Sequence, residues 1–195
     1  MKKITIKPEY TPLTQQKLCC VPCAIQWVLL RKNLKLIHQE IIGKHLGLIV
    51  PRKYKHLFVE NIKTSTRKPK GGWGTTKDSE KDINEFLNKY KIPLSVKEVP
   101  YSKIKNAADL IVKNLKKGND VLAITWTTPL NEKKKFGHAL LISAIELGKN
   151  PKVLLGDPDF KEKKFYWASL KKVIEGMDPK VGKTERGLYV FSKRQ

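Results

Sequence analysis

Three cysteines, Cys19, Cys20 and Cys23, lie within five residues near the start of the chain. They are followed by an apolar segment, residues 21–30, with Pro22 where it suits the first turn of a helix. A helix N-terminus stabilises a thiolate, the reactive form of cysteine, through unpaired N–H groups and the helix dipole. The spacing therefore makes Cys20 the candidate nucleophile. Cys19 is expected to lie outside the helix and Cys23 on its flank, where free cysteine is commonly a small buried apolar residue.

A histidine and an aspartate occupy the ends of two predicted strands. Gly137 and His138 open an apolar run that continues to residue 145, and Asp157 follows a second run, residues 152–155. A short, hairpin-like connection would bring the end of the second strand beside the start of the first. A carboxylate can then meet an imidazole, which is the arrangement that a Cys-His-Asp relay needs.

The order of the predicted elements indicates an α+β fold in one domain, residues 1–195, with helices first and a mostly antiparallel sheet after them. The segment 51–74 is basic and punctuated by glycine and proline, which predicts a long loop. Thr76 or Asp78 is expected to cap the third helix. The remaining predicted helices cover about residues 37–46, 78–90, 107–117 and 168–175, and the remaining predicted strands cover residues 121–126 and 187–191.

The residues before and after the candidate nucleophile resemble a known family. Gln15 or Gln16, followed by Cys20-Val-Pro-Cys-Ala-Ile, is similar to the Gln…Cys-Gly-Pro-Ala-Ala-Leu segment of papain-like cysteine peptidases related to the bacteriocin-processing, double-glycine leader peptidases. The resemblance implies a papain-like fold and hydrolysis of peptide or related amide bonds, with a peptide or protein as substrate. It continues in order to about residue 192 through Asn33-Leu-Lys-Leu-Ile-His-Gln-Glu-Ile-Ile, Gly72-Trp-Gly-Thr-Thr, Leu115-Lys-Lys-Gly-Asn-Asp-Val-Leu-Ala-Ile, Gly137-His-Ala-Leu-Leu-Ile and Leu155-Gly-Asp-Pro.

By this resemblance, each candidate residue has a role. Cys20 is the nucleophile, His138 is the general base and then the general acid, and Asp157 orients the imidazole. Gln15 is the side-chain donor to the oxyanion, together with the backbone N–H of Cys20. No cofactor or metal is implied.

Three positions leave these assignments open. Val21 stands where the family has glycine directly after the nucleophile. Gln16 is one residue from Gln15 and can compete for the oxyanion role. Asp159 is two residues from Asp157 and can compete for the imidazole.

The cysteines are also compatible with two kinds of site other than a hydrolytic one. Cys20-Val-Pro-Cys23 at a helix start is also what a thioredoxin-like redox site requires, but the polar, proline-broken segment 11–18 stands where such a site needs an apolar strand. A zinc site would need a second Cys or His pair at a recognisable spacing, and none is evident.

The charge of the chain suggests a further partner. Its 195 residues include 40 Lys and Arg against 18 Asp and Glu, a formal net charge of +22. Such a surface attracts polyanions, so a non-enzymatic basic binding module that uses residues 52–70 is a further alternative. The clustered, unpaired cysteines fit a reducing compartment, and no apolar run approaches the ~20 residues of a membrane span, so a cytoplasmic protein is expected.

Overall fold

The chain has an α+β architecture with a mostly antiparallel sheet and several helices, and the computed structural model describes residues 2–131, 136–159, 163–182 and 184–194. The helices are α1 (Cys20–Arg31), α2 (Gln39–His45), α3 (Glu80–Lys89), α4 (Ala107–Lys116), α5 (Leu170–Glu175) and α6 (Pro179–Gly182). The strands are β1 (Lys3–Thr5), β2 (Ile49–Pro51), β3 (Lys63–Ser65), β4 (Leu94–Pro100), β5 (Asp120–Trp126), β6 (Gly137–Glu146), β7 (Lys152–Gly156), β8 (Phe165–Ser169) and β9 (Gly187–Lys193).

The main sheet has β6 near its centre. Within the described residues its order is β4-β9-β5-β6-β7-β8, and every pairing in it is antiparallel. β1 pairs with residues 144–146 of β6, past the end of β5. Residues 138–145 of β6 are all buried, as expected of a strand that is covered on both faces. Both α1 and α4 pack against β6, which accounts for this burial.

Helix α1 is buried almost throughout because its sequence is apolar on every side. Trp27 is among the largest fully buried side chains of the described core. The N-cap residue Cys19 makes no side-chain hydrogen bond to the helix. The first N–H groups of α1 are therefore not satisfied by a capping side chain, and the positive end of the helix dipole is directed at Cys20.

The segment 51–74 differs from the predicted loop. It contains a short 3₁₀ helix, Arg52–Leu57, and the strand β3, which pairs in parallel with β2. A backbone bridge between Ile49 and Gly74 fixes the end of the segment. The prediction failed because a two-stranded ladder of three residues each has no periodicity long enough to recognise.

Helix α3 begins at Glu80, later than predicted, and neither Thr76 nor Asp78 caps it. The cap is Ser79, whose hydroxyl accepts a hydrogen bond from the Asp82 N–H at 3.3 Å. The Asp82 carboxylate accepts from the Ser79 N–H in return, also at 3.3 Å. This reciprocal pair satisfies two N-terminal N–H groups, which is why Ser79 is the better cap.

Besides β2 and β3, three strands of the main sheet were not predicted: β1, β4 and β8. β4 follows Pro93 and ends at Pro100, and proline is uncommon in strands except at their ends or at a sheet edge. The side chains of β8 are half-buried or exposed, without the alternation that marks a strand. Among the helices of the described ranges, none combines the length and the apolar content that a membrane span requires.

A buried charged cluster joins the N-terminal segment, the end of α1 and the start of β5. The Arg31 guanidinium contacts both carboxylate oxygens of Asp120, at 2.5 and 2.8 Å. The Tyr10 hydroxyl donates to the same carboxylate at 2.7 Å. Burial and the neighbouring negative charge of Asp120 raise the pKa of Tyr10 well above its ordinary value, so the phenol stays a donor. Arg31 also donates to the backbone carbonyls of Lys7 and Gly118.

Removal of one partner from this cluster should destabilise the protein strongly. Asp120→Ala leaves the buried Arg31 charge uncompensated, and we expect the free energy of unfolding to fall by about 3–5 kcal/mol in urea denaturation. Asp120→Asn keeps a hydrogen-bond acceptor, so its free energy of unfolding should fall by less. Glu9→Gln removes an exposed partner of Lys7 and should leave the urea midpoint unchanged. Equal midpoints for Asp120→Ala and Glu9→Gln would contradict a structural role for the cluster.

Candidate active site

His138 and Asp157 are brought together by the register of two neighbouring strands. His138 is the second residue of β6, and Asp157 directly follows β7. The antiparallel register pairs Leu141 with Gly156, so the end of β7 reaches back toward the start of β6. The His138 Nε2 and Asp157 Oδ1 atoms lie 2.7 Å apart. Their side chains are only 5% and 1% exposed, so the contact is closed to bulk water.

The Asp157 carboxylate is held by further donors. The backbone N–H of Asp159 donates to Oδ1 at 3.0 Å. The Tyr166 hydroxyl lies 3.4 Å from Oδ2, on the opposite side of the carboxylate. Burial, followed by the charge of Asp157, raises the pKa of Tyr166, so the phenol remains a donor. The Asp157 N–H bonds to the Lys164 carbonyl at 2.8 Å, which fixes the backbone as well.

Cys20 lies on the other side of the imidazole. It is the first residue of α1, it is partly exposed, and it is close enough to His138 to help raise the pKa of the imidazole. Since Nε2 is directed at Asp157, Nδ1 is the ring nitrogen that faces Cys20. The histidine therefore stands between a thiol and a carboxylate.

The protonation of His138 reflects these two neighbours. Burial by itself lowers the pKa of His138, but the hydrogen bonds and negative charges of Asp157 and Cys20 outweigh it and raise the pKa from 6.5 to about 9. Because the folded-state pKa lies above the unfolded value, this group stabilises the fold fully below pH ~6.5. That contribution is lost as the pH rises through about 9.

The other two cysteines are enclosed. Cys19 packs in a small cluster with Leu48, Val50 and Ile62, and burial raises the pKa of its thiol. Cys23 is buried in the main core, and burial raises the pKa of its thiol to about 12. All three cysteines are free thiols, and of the three Cys20 has the accessible side chain.

The two glutamines point in different directions. The Gln15 N–H donates to the Pro158 carbonyl at 2.8 Å, and its side-chain Nε2 donates to Asp159 Oδ1 at 3.2 Å. The Gln16 side chain instead donates to Glu40 Oε1 at 2.7 Å, away from the histidine. Gln15 is thus the glutamine attached to the turn that carries Asp157. Its buried Oε1 has no hydrogen-bond partner among the described residues.

The structure places Asp157, not Asp159, on the imidazole. The backbone N–H of Asp159 donates a hydrogen bond to Asp157, and the Asp159 carboxylate accepts one from the Gln15 side chain. It therefore links the aspartate turn to the glutamine. This arrangement accounts for the presence of both carboxylates in one short turn.

Two aromatic residues of the site were not identified from the sequence. Phe136 stands edge-on to the His138 ring, with the ring centres 5.7 Å apart. Tyr166 supports Asp157 from β8. With Thr127, Leu130, Asn131, His138, Asp157 and Asp159 they line a small cavity of about 130 Å³. Phe136 has a sequence signal, since it directly precedes Gly137-His138, whereas Tyr166 had none because its strand was not predicted.

No metal site accompanies this arrangement. Within the described part of the chain, no group of three or more His, Cys, Asp or Glu side chains is placed to hold a metal ion. No protein-family model matches the chain, and a search of curated proteins finds none similar to it in sequence.

The contacts predict selective alkylation of one thiol. At about pH 6, iodoacetamide should label Cys20 before Cys19 and Cys23, because Cys20 is partly exposed at a helix N-terminus beside His138, while the other two thiols are buried and have raised pKa values. His138→Ala should slow the labelling of Cys20, as followed by peptide mass spectrometry.

The matched control for this prediction is His45→Ala, which removes a histidine that packs against Phe86 away from the site. It should leave the labelling rate unchanged. Equal rates for all three cysteines at pH 6 would show that the resting protein has no activated thiol.

Proposed function

We propose that the protein is a papain-like cysteine peptidase that hydrolyses peptide or related amide bonds through Cys20, His138 and Asp157. The observation that carries the proposal is the buried imidazole of His138, which bonds Asp157 at 2.7 Å and has Cys20 as a neighbour that raises its pKa. Nucleophile, base and orienting group are thus neighbours, the arrangement that activates a thiol.

In the first half of the reaction, the Cys20 thiolate attacks the carbonyl carbon of the scissile bond, and the carbonyl electron pair moves to the oxygen. The backbone N–H of Cys20 and the side-chain amide of Gln15 donate to this oxyanion. His138 then gives its proton to the leaving nitrogen as the C–N bond breaks. The products of this half are a free amine and a thioester on Cys20.

In the second half, neutral His138 takes a proton from a water molecule while the water oxygen attacks the thioester carbon. The tetrahedral intermediate collapses, the C–S bond breaks, and the carboxylic acid leaves. His138 keeps the proton, so the thiolate and imidazolium are restored together.

Asp157 acts on this cycle without contacting the substrate. Its Oδ1 accepts from His138 Nε2, which leaves Nδ1 for Cys20 and for the leaving group. The Asp159 N–H and the Tyr166 hydroxyl hold the carboxylate in this position. Asp157 is therefore a positioning residue that also stabilises the imidazolium.

The geometry gives no support to the thioredoxin-like alternative. Residues 6–19 before the motif contain neither helix nor strand, whereas a redox motif of that class follows an apolar strand. Cys23 is buried in the main core, and its thiol has a raised pKa. A buried, protonated Cys23 supports a packing role.

Substitutions should rank the residues by their role. Cys20→Ala and His138→Ala should each lower kcat/KM by on the order of 10⁶-fold, the scale seen when a nucleophile or its base is removed. Asp157→Asn should lower it by on the order of 10⁴-fold, since the imidazole loses its orientation but remains. Activity is read as new N-termini released from a peptide library, identified by mass spectrometry.

Asp159→Asn is the matched control for Asp157→Asn, because it lies two residues away and its carboxylate accepts from Gln15. We expect a loss of about tenfold or less, through the weaker contact with Gln15. A larger loss for Asp159→Asn than for Asp157→Asn would overturn the assignment of the carboxylate. New N-termini that persist unchanged in Cys20→Ala would overturn the proposed function.

A further inference from the structure

A basic groove lies on one side of the helix N-terminus. It is an open cavity of about 630 Å³ lined by Leu18, Pro51, Arg52, Lys53, Tyr54, Ser65, Thr66 and Trp73. Its walls combine apolar and aromatic surface with cations and hydroxyl groups. A volume of this size accommodates a short peptide segment rather than a single side chain.

The basic groove adjoins the nucleophile through Leu18. Leu18 is two positions before Cys20 in the chain, so their Cα atoms are at most about 7 Å apart. Leu18 has a positive φ of 65°, which a residue with a branched side chain adopts only where its surroundings impose it. The basic groove therefore begins near the backbone of the nucleophile, within the reach of a peptide bound at Cys20.

The cations of the groove are crowded together. Both Lys17 Nζ and Lys53 Nζ lie 5.1 Å from the centre of the Tyr54 ring. Arg52 is adjacent to Lys53 and is exposed. In the described portion of the chain, none of these three cations forms an ion pair with a carboxylate.

The surrounding segment reinforces this charge. Residues 51–74 contain seven Lys and Arg and one acidic residue, Glu60. The Glu60 carboxylate is already paired with Lys44, at 3.1 Å. The positive charge at the groove can therefore attract an anionic ligand. A carboxylate bound among these cations would reduce the repulsion between them.

We propose that the basic groove selects substrates that carry Asp or Glu side chains on one side of the scissile bond. The proposal rests on the proposed peptidase function, because the groove then holds the chain whose carbonyl reaches Cys20. Arg52, Lys53 and Lys17 bind the carboxylates, while Tyr54, Trp73 and Leu18 contact the apolar parts of the peptide. Nucleic acid is less suited, since the proposed reaction at the neighbouring Cys20 acts on a carbonyl carbon of a peptide.

A second basic cavity supplies a matched control. It measures about 810 Å³, and its lining includes Lys32, Lys117, Lys193 and Arg194. Lys32 directly follows α1, so this cavity lies at the opposite end of a 12-residue helix from Cys20, a span of about 18 Å. Lys193 and Arg194 are exposed, like Arg52 and Lys53, so charge removal at either place should leave the fold intact.

The test measures binding without catalysis. In the Cys20→Ala background, fluorescence anisotropy compares a labelled peptide rich in Glu and Asp with its Gln and Asn counterpart. We expect the acidic peptide to bind about tenfold more tightly at low salt, and this preference to weaken as salt screens the contacts. Arg52→Gln with Lys53→Gln should abolish the preference, while Lys193→Gln with Arg194→Gln should preserve it.

Three results would overturn the groove proposal. The first is equal affinity for the acidic and the amide peptide. The second is an equal loss of binding in the two double variants, which would mean that only net charge matters. The third is a single-stranded oligonucleotide that displaces the acidic peptide and no longer binds to the groove variant. In the enzyme with Cys20 intact, the groove variant should raise KM for acidic peptides and leave kcat unchanged.

Failure of the two proposals can be told apart. If acidic peptides bind at the groove but the protein with Cys20 cleaves none, the groove stands as a binding site and the peptidase function fails. If acidic and amide peptides are cleaved with equal kcat/KM, the peptidase function stands and the groove proposal fails.

Discussion

The hydrogen bond between His138 and Asp157, 2.7 Å long and closed to water, is the interaction on which the site depends. A carboxylate that is 1% exposed loses its hydration and must recover it from neighbouring donors. The imidazole, the Asp159 N–H and the Tyr166 hydroxyl supply those donors. In return, the carboxylate keeps the imidazole charged and oriented. A solvent-exposed pair of histidine and aspartate would do so less strongly, because water screens the interaction.

Trp27 connects the pair of His138 and Asp157 to the rest of the fold. Its ring packs where a side chain on Gly156 would stand, since a Cβ there would lie 2.7 Å from the ring. Gly156 directly precedes Asp157, so the helix and the aspartate turn fit together only because this residue is glycine. The Trp27 Nε1–H also donates to the Leu13 carbonyl at 3.1 Å, close to Gln15. One buried residue of α1 thus fixes both the aspartate turn and the glutamine segment relative to Cys20.

The α+β order and the central elements were predictable from the sequence because each has a strong local signal. Pro22 and the apolar run after it predicted α1, and Gly137-His138 marked the start of a buried strand. The structure places β6 and β7 within two residues of their predicted limits. Asp157 was predicted to meet His138 because hairpin geometry follows from strand order alone.

Other features depend on contacts that sequence spacing does not encode. Gln15 and Gln16 are equivalent as local sequence, and they differ only in which neighbour each side chain reaches, Asp159 or Glu40. Tyr166 lies on β8, which has no alternating pattern. The groove beside Cys20 arises because residues 49–51 and 63–65 pair in parallel, a long-range pairing with no local signature.

The most direct test of the account is the titration of His138 by ¹⁵N NMR of the imidazole nitrogens. The account predicts an imidazolium at pH 7 that loses its proton near pH 9. The pKa should fall in both Cys20→Ala and Asp157→Asn, because each variant removes one of the two groups that raise it. A neutral imidazole at pH 7, with a pKa near 6.5 that neither variant changes, would contradict the account.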